Sequence, residues 1–307
     1  MSAGGPGLDR KLKKPMTRET VSVVIPVFNG SNYLAAALSS VEKQTFPAWE
    51  ILVIDDGSTD DSVAIAQSFP GVLVASYPNA GPAVTRNRGI ELATGNWVAF
   101  LDHDDLWEPD KLERQMNLIR TTMLEPDVCV CARQLFSEAG LGIIQRAPKT
   151  ANIVRTLYIR CFFVPSAVVA RRSLLVKVGG FDITMKGAED WDLWLKLHEA
   201  GGRFVSCPEA LCLYRVHLEN RSGNAYMMYR SEMQVYDRHI GPTVNGVVRP
   251  FHRLHMRSEL LSELAVMERE QGALHLEIML KALVIFPLGH WRRYKIAAHM
   301  LWTKMTR

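Results

Sequence analysis

Trp-Val-Ala-Phe-Leu-Asp-His-Asp-Asp-Leu-Trp-Glu-Pro-Asp, residues 97–110, is the stretch that decides the fold. Trp97 to Leu101 is a short apolar run of β-forming residues, the pattern of a strand buried on both faces. It ends in three carboxylates, Asp102, Asp104 and Asp105. Carboxylates are seldom buried unpaired, so three at one strand end need a counter-charge. Open α/β sheets bind ligands at the carboxyl ends of their strands. A hard divalent cation shared with a ligand phosphate would satisfy oxygen ligands there. The plain alternative is a solvated acidic turn ahead of a helix started by Pro109.

Upstream, the same pattern repeats. Val21–Val27 reads as a first strand, closed by Pro26 and the loop Phe28-Asn29-Gly30. Ser31 fits the N-cap of a helix with Leu34, Leu38 and Val41 on one face. Glu50–Ile54 is a second strand ending in Asp55-Asp56-Gly57-Ser58-Thr59-Asp60, where Asp60 fits the cap of the next helix. Val72–Ser76 is a third strand, followed by a helix bearing Arg86, Asn87 and Arg88. Three strand–helix units of this length predict an α/β, doubly wound, mostly parallel sheet with helices on both faces. The acidic ends of strands two and four then fall on one edge. Downstream, Leu112, Met116 and Ile119 mark a helix, Asp127–Ala132 and Phe163–Ala170 read as strands, and Leu211–Val216 as the last one. Beyond Asn224 the pattern is helical.

Five stretches stand in one order: Val-Ser-Val-Val-Ile-Pro-Val-Phe-Asn (21–29), Asp-Asp-Gly-Ser-Thr-Asp (55–60), Asn-x-Gly…Arg-Asn-x-Gly (79–89), Asp-His-Asp-Asp (102–105) and Glu-Asp (189–190). Together they resemble the family 2 glycosyltransferases, which have the GT-A fold that binds nucleotide-diphospho-sugars. The resemblance covers roughly residues 19–222. It implies that Pro26, Val27 and Phe28 line the base and ribose site, and that Asp56 accepts a hydrogen bond from the base, uridine by family habit. It places Arg86 near the diphosphate, Asp102 on the ribose, and Asp104 on a Mn2+ or Mg2+ ion, with His217 as a further metal or phosphate contact. Asp190 is implied as the catalytic base. The expected reaction is inverting transfer of a sugar from a UDP-sugar to a hydroxyl of a glycan, lipid-linked or protein acceptor, in glycan or polysaccharide biosynthesis. His103 and Thr85 are the small departures from the family pattern.

The chemistry points the same way. Displacing a nucleoside diphosphate needs its charge neutralised, which a carboxylate-held cation does as a Lewis acid, and a base for the acceptor proton. Haloacid-dehalogenase phosphatases also use Asp-x-Asp but want Thr or Val where Leu106 stands. A nucleotidyltransferase would carry a Gly-rich, basic signature after the first strand, which residues 28–32 lack. A non-catalytic sugar-nucleotide-binding protein would not need both Asp104 and Asp190. Each site residue also has an ordinary reading: Asp190 as a helix-dipole partner, Asp56 as a turn residue, Arg86 as a solvated helix face, His217 as a strand-end histidine.

Bulk properties set bounds. Of 307 residues, 48% are hydrophobic and 22% charged, the balance of a globular chain. No apolar run reaches the 18 residues of a membrane span. No charged-then-apolar signal opens the chain; residues 1–18 read as a flexible basic tail. Five cysteines in no zinc spacing read as reduced thiols of a cytoplasmic protein. Residues 1–18 carry five basic and one acidic side chain, and residues 249–307 ten and five. No nucleic-acid motif accompanies that charge, so nucleic acid is not expected as a partner. The expected domains are the tail, a catalytic domain over 19–222, and a helical extension over 223–307 packed on it. Residues 287–307 interleave Arg292, Arg293, Lys295, Lys304 and Arg307 with Trp291, Tyr294 and Trp302. A helix of that kind suits peripheral attachment at the inner face of a membrane, or else packs its apolar side on the core.

Overall fold

The computed structural model describes residues 19–217 and 225–240, with isolated positions at 242, 258, 261 and 280. The basic tail over 1–18, the membrane reading of 287–307 and most of the helical extension lie outside the described residues. Among those residues, no helix is long and apolar enough to cross a membrane.

Among the described residues, nine strands join in one sheet. β1 (Val21–Val27), β2 (Glu50–Asp55), β3 (Val72–Ser76) and β4 (Trp97–Phe100) lie parallel in the order β3-β2-β1-β4. Every residue of β1 and β4 is buried, as expected for apolar runs covered on both faces. Helices α1 (Leu34–Glu42), α2 (Ser62–Gln67) and α3 (Pro82–Leu92) make the crossovers. Val27 pairs with Asp55, so β1 and β2 end level and their loops meet. The Asp56 N–H donates to the Val27 carbonyl at 2.8 Å.

The second half departs from a purely parallel reading. β5 (Leu106–Trp107) and α4 (Lys111–Thr121) precede β6 (Val128–Ser137), which forms a hairpin with β7 (Gly140–Gln145). Then come α5 (Ile153–Leu157), β8 (Val168–Arg171), α6 (Arg172–Lys177), α7 (Glu189–Glu199) and β9 (Phe204–Arg215). β8 runs antiparallel between β4 and β6, and β9 continues parallel to β6. The segment predicted as a strand over Phe163–Ala170 begins instead with a 3-10 turn, Pro165–Ala167, because Pro165 has no N–H for a ladder. Ser31 does not cap α1: its N–H donates to Asp60, and the Gly30 carbonyl takes the Tyr33 and Leu34 amides. Asp60 is not the N-cap of α2 either, which is Asp61; from one position earlier it accepts the Ser62 N–H and hydroxyl at 3.0 and 2.5 Å. All five cysteines are free thiols, four of them buried.

After 218–224, α8 (Ala225–Val235) and a π-helical turn over Tyr236–Ile240 dock on α7. The dock is ionic. Asp192, with no exposed surface, accepts from Arg238 Nη1 at 2.6 Å and contacts His239 Nε2 at 2.9 Å. His239 Nδ1 lies 3.0 Å from Glu199, and Arg238 also reaches Asp182 at 2.7 Å.

Burial acts against the charged form of His239, but the hydrogen bonds to Asp192 and Glu199 carry it above its ordinary range. Burial likewise opposes the Asp192 charge, and the hydrogen bonds from His239 and Arg238 bring its carboxyl below the ordinary range. The raised His239 contributes stability below the unfolded value of about 6.5 and loses it as pH rises through the folded value. The lowered Asp192 contributes above about 3.9 and loses it as pH falls through its own folded value. The clamp is therefore whole between about pH 4 and 6.5. Thermal midpoints should place His239→Gln well below wild type at pH 5.5, with the gap narrowing at pH 8.5. A gap constant with pH would mean that the contact is not ionic.

Candidate active site

The predicted site residues come together. Pro26, Val27, Phe28, Asp56, Arg86, Asp102, Asp104, Asp190 and His217 all line one cleft of about 1240 Å³ at the carboxyl edge of the parallel strands. Phe28 stands at its mouth, 47% exposed, where an aromatic face is free to take a flat ring.

The loops that shape this edge are tied to one another. The Asn29 N–H donates to Ser58 Oγ, Gly30 to Ser62 Oγ, and Thr59 to Asn29 Oδ1. Gly30 is required by a close approach: a Cβ there would lie 2.4 Å from the His103 ring. Asp56 is nearly buried and accepts the Ala80 and Gly81 amides at 2.9 and 2.8 Å, one on each oxygen. A carboxylate oxygen has a second lone pair, so Asp56 can hold this turn and still accept from a ligand.

The stretch Arg86-Asn87-Arg88-Gly89 on α3 is used residue by residue. Arg86 is buried and donates to Asp102 Oδ1 at 2.7 Å and to Glu189 Oε1 at 3.2 Å. Asn87 donates to the Phe181 carbonyl and accepts the Phe181 N–H, both at 2.8 Å, fixing the turn that leads to α7. Arg88 stacks on Tyr77 at 4.2 Å and reaches Asp56 at 3.7 Å. Gly89 lets α3 press on β1, since a Cβ there would lie 2.2 Å from Val24.

The three carboxylates after β4 separate into three environments. Asp102 is paired with Arg86. Asp104 Oδ2 contacts His217 Nε2 at 2.9 Å, and His217 packs on Tyr33 with ring centroids 5.2 Å apart. Asp105 turns away from the cleft and is 1% exposed. Burial, then the charges of Asp104 and Asp102, push its carboxyl well above the ordinary range. Its Oδ1 accepts the Arg215 amide at 3.0 Å and its Oδ2 has no hydrogen-bond partner, the arrangement of a neutral acid. The three carboxylates expected to need a counter-charge therefore part company: Asp102 meets Arg86, Asp104 meets His217, and Asp105 is withdrawn into the interior.

Asp104 and His217 present a carboxylate oxygen and an imidazole nitrogen side by side, a donor pair that suits Mn2+ or Mg2+ only in part. Among the described residues no three His, Cys, Asp or Glu side chains converge on one metal position. A cation held here would take its other ligands from phosphate oxygens and water, as Mg2+ commonly does.

Asp190 sits in the first turn of α7. Ala188 precedes it in the left-handed region, at φ +53°, a conformation that costs a residue with a Cβ about 1–2 kcal/mol. That turn aims Glu189 at Arg86, while Asp190 lines the cleft. Asp190 Oδ1 accepts the Trp191 N–H at 2.7 Å, and Oδ2 lies 3.9 Å from the Cys161 thiol. Enclosure by the cleft walls, then the neighbouring Glu189 charge, push the Asp190 carboxyl up to about 7. That value suits a base working near neutral pH.

Sequence reasoning passed over three contributors. Glu189 was noted only as half of Glu-Asp; its ion pair with Arg86 spans 103 positions and has no local signal. Cys161 and Glu232 also line the cleft, from segments without motifs.

Comparison with known proteins gives the family and the fold. Residues 22–179 match the family model for glycosyl transferase family 2. The chain is 40% identical over 235 residues to the putative teichuronic acid biosynthesis glycosyltransferase TuaG of Bacillus subtilis, covering 70% of this chain and 86% of that one. Against uncharacterized glycosyltransferases of five Rickettsia species, the chain spans between 31% and 69% of the relative's length. Among solved structures, S. aureus TarS in complex with UDP-GlcNAc superposes with a TM-score of 0.64 at 22% identity, over 87% of this chain and 79% of that one. The mannosyltransferase PcManGT from Pyrobaculum calidifontis, in complex with GDP-Man and Mn2+, superposes at 0.61 and 18% identity, over 94% and 86%. At those identities the two structures speak for the fold, a GT-A sheet.

The buried ion triad gives a stability test. Arg86→Met strands Asp102 and Glu189, so urea denaturation should show a loss of about 3–5 kcal/mol. Adding Glu189→Gln should restore part of it. Strictly additive losses in the double variant would mean that the two side chains are not coupled.

Proposed function

The chain belongs to glycosyltransferase family 2, and from that premise we propose that it moves a sugar from a nucleoside-diphospho-sugar to a hydroxyl of a growing glycan, with inversion. The observation that carries the reading is Asp190: a carboxyl poised near neutrality in the cleft that Asp102, Asp104 and Arg86 also line. Residues 19–222 would form the catalytic domain, and the helices that follow would complete its far wall. Polysaccharide biosynthesis as the setting is supported by the names of TuaG and of the amylovoran biosynthesis glycosyltransferase AmsB of Erwinia amylovora. A UDP-sugar donor is supported by the TarS complexes.

In this reading the base stacks on Phe28 beside Pro26 and Val27, and Asp56 accepts its imide N–H. Asp102 takes the ribose hydroxyls while Arg86 holds Asp102 in place. Asp104 and His217 would hold a divalent cation, which supplies charge neutralisation for the departing diphosphate. Asp190 removes the acceptor hydroxyl proton as that oxygen bonds to the anomeric carbon. The anomeric carbon–phosphate oxygen bond breaks, the nucleoside diphosphate leaves with the electron pair, and the proton stays on Asp190. One base and no covalent intermediate mean inversion at the anomeric carbon.

Two measurements test this. In calorimetry with Mn2+, Asp104→Ala should lose metal-dependent affinity for UDP; unchanged affinity would remove the metal role. Asp190→Asn should keep donor binding and lower transfer by about 10²–10⁴-fold. Wild-type transfer should rise with pH through about 7 as Asp190 ionises, then level. Near-normal transfer by Asp190→Asn would remove it as the base. Pyrophosphate as product would favour a nucleotidyltransferase, and donor binding without turnover a binding protein.

A further inference from the structure

Beyond Asp190 the cleft continues into a half that the donor reading leaves unused, walled by Phe162, Trp191, Tyr214, Met227 and Met228. Cys161 also lines it, 3.9 Å from Asp190 and within electrostatic reach of Arg133 and Glu232. Glu232 stands on α8, which lies directly on the loop before Asp190: a Cβ on Gly187 would be 3.3 Å from both Met228 Sδ and Ser231 Oγ. The Asp192–His239 and Asp192–Arg238 contacts pin the end of that helix to α7.

Glu232 is half-buried, lines the cleft, and makes no hydrogen bond or ion pair with the described residues. Burial, then the charge of Asp190, push it up to about 7. A polar group withdrawn from water without a partner is unfavourable unless a ligand supplies one. Aromatic and methionine walls around a hydrogen-bonding carboxyl suit a sugar ring, apolar on its faces and hydroxylated at its rim.

We infer that Glu232 is an acceptor-binding residue, taking a hydrogen bond from the hydroxyl next to the one that Asp190 deprotonates. The acceptor then presents two neighbouring hydroxyls, with no negative charge at that point, since an anion would face both carboxyls. The inference rests on Asp190 being the base. The charged and titratable groups around Asp190 are Glu189 beside it, Arg86 and Asp102, the Cys161 thiol, and Glu232 from α8. Of these, Glu232 is the one contributed from beyond β9, and removing its charge eases ionisation of Asp190.

The test compares full-length wild type, Glu232→Gln and Glu232→Asp. Nucleoside-diphosphate release is followed from UDP-glucose, UDP-GlcNAc and GDP-mannose, with methyl glycosides or water as acceptor. Glu232→Gln should raise the acceptor KM about ten- to hundredfold without a matching rise in the donor KM, and move the rising pH limb downward. Glu232→Asp should restore part of the acceptor affinity. An unchanged acceptor KM and pH limb would overturn the inference. A second readout needs no turnover. Carboxyls raised in the folded state lose stability as pH rises from about 4 to 7, so the thermal midpoint should fall less steeply across that range in Glu232→Gln. Equal slopes would overturn the juxtaposition. Transfer surviving in Asp190→Asn, or no turnover of any donor by wild type, would count against the base or the transferase reading, while the midpoint slopes still decide Glu232.

Discussion

Charge balance at one sheet edge governs this structure. The fold delivers Asp102, Asp104 and Asp105 from the end of β4, and Glu189 and Asp190 from the start of α7, and sets the buried Arg86 guanidinium between Asp102 and Glu189. Burial opposes the charge on Arg86, but the attraction of Asp102 and then Glu189 more than restores it, so the cation is held firmly. Each remaining carboxyl finds its own solution. Asp104 takes an imidazole, Asp105 stays neutral in the interior, and Asp190 is left beside a like charge with a backbone amide and a thiol. The functional difference between these chemically alike groups comes from position alone.

Position is held by backbone devices. The left-handed Ala188 turns the chain so that neighbouring carboxyls serve different purposes, Glu189 for Arg86 and Asp190 for the cleft. The turn before it depends on Gly180, at φ +67°, where a Cβ would fall 2.3 Å from Asn87 Oδ1. Asn87 thus locks a turn 94 positions away and indirectly sets the direction of α7. Strain of this sort persists where surrounding contacts over-determine it, and here two hydrogen bonds to Asn87 and the Arg86 pair do so.

The parallel half of the sheet was legible because burial on both faces writes itself into apolar runs ended by turn residues, as in Val21–Val27 and Trp97–Leu101. The acidic strand ends were legible for the same reason: Asp56 and Asp102 follow directly on such runs. The antiparallel course of β8 was not, since Val168–Arg171 is apolar enough for either direction and the choice lies in the chain path before it. Ser31 misled because its hydroxyl as well as its N–H turns to Asp60 from the next loop, and the helix begins later, with Tyr33 at its N-cap. Glu232 was invisible, being one charged residue in a helical pattern whose meaning depends on what α7 places opposite.

The family match ends at residue 179, before Asp190, His217 and Glu232. The boundary has a physical sense. Residues 22–179 build the half of the cleft proposed to meet a nucleotide, through β1, β2, α3 and the end of β4. Most of the groups that would meet an acceptor come later, from α7, α8 and Tyr214; the segment around Phe162 is the exception inside the match. A common donor chemistry constrains the first set through strand ends and tight loops, where nearly every side chain already has a structural partner. The second set rests on a helix clamped by Asp192, His239 and Arg238, none of which lines the cleft. Residues on the cleft side of that helix can change without disturbing the clamp, so the proposed acceptor site could vary while the proposed donor site and base stay in place.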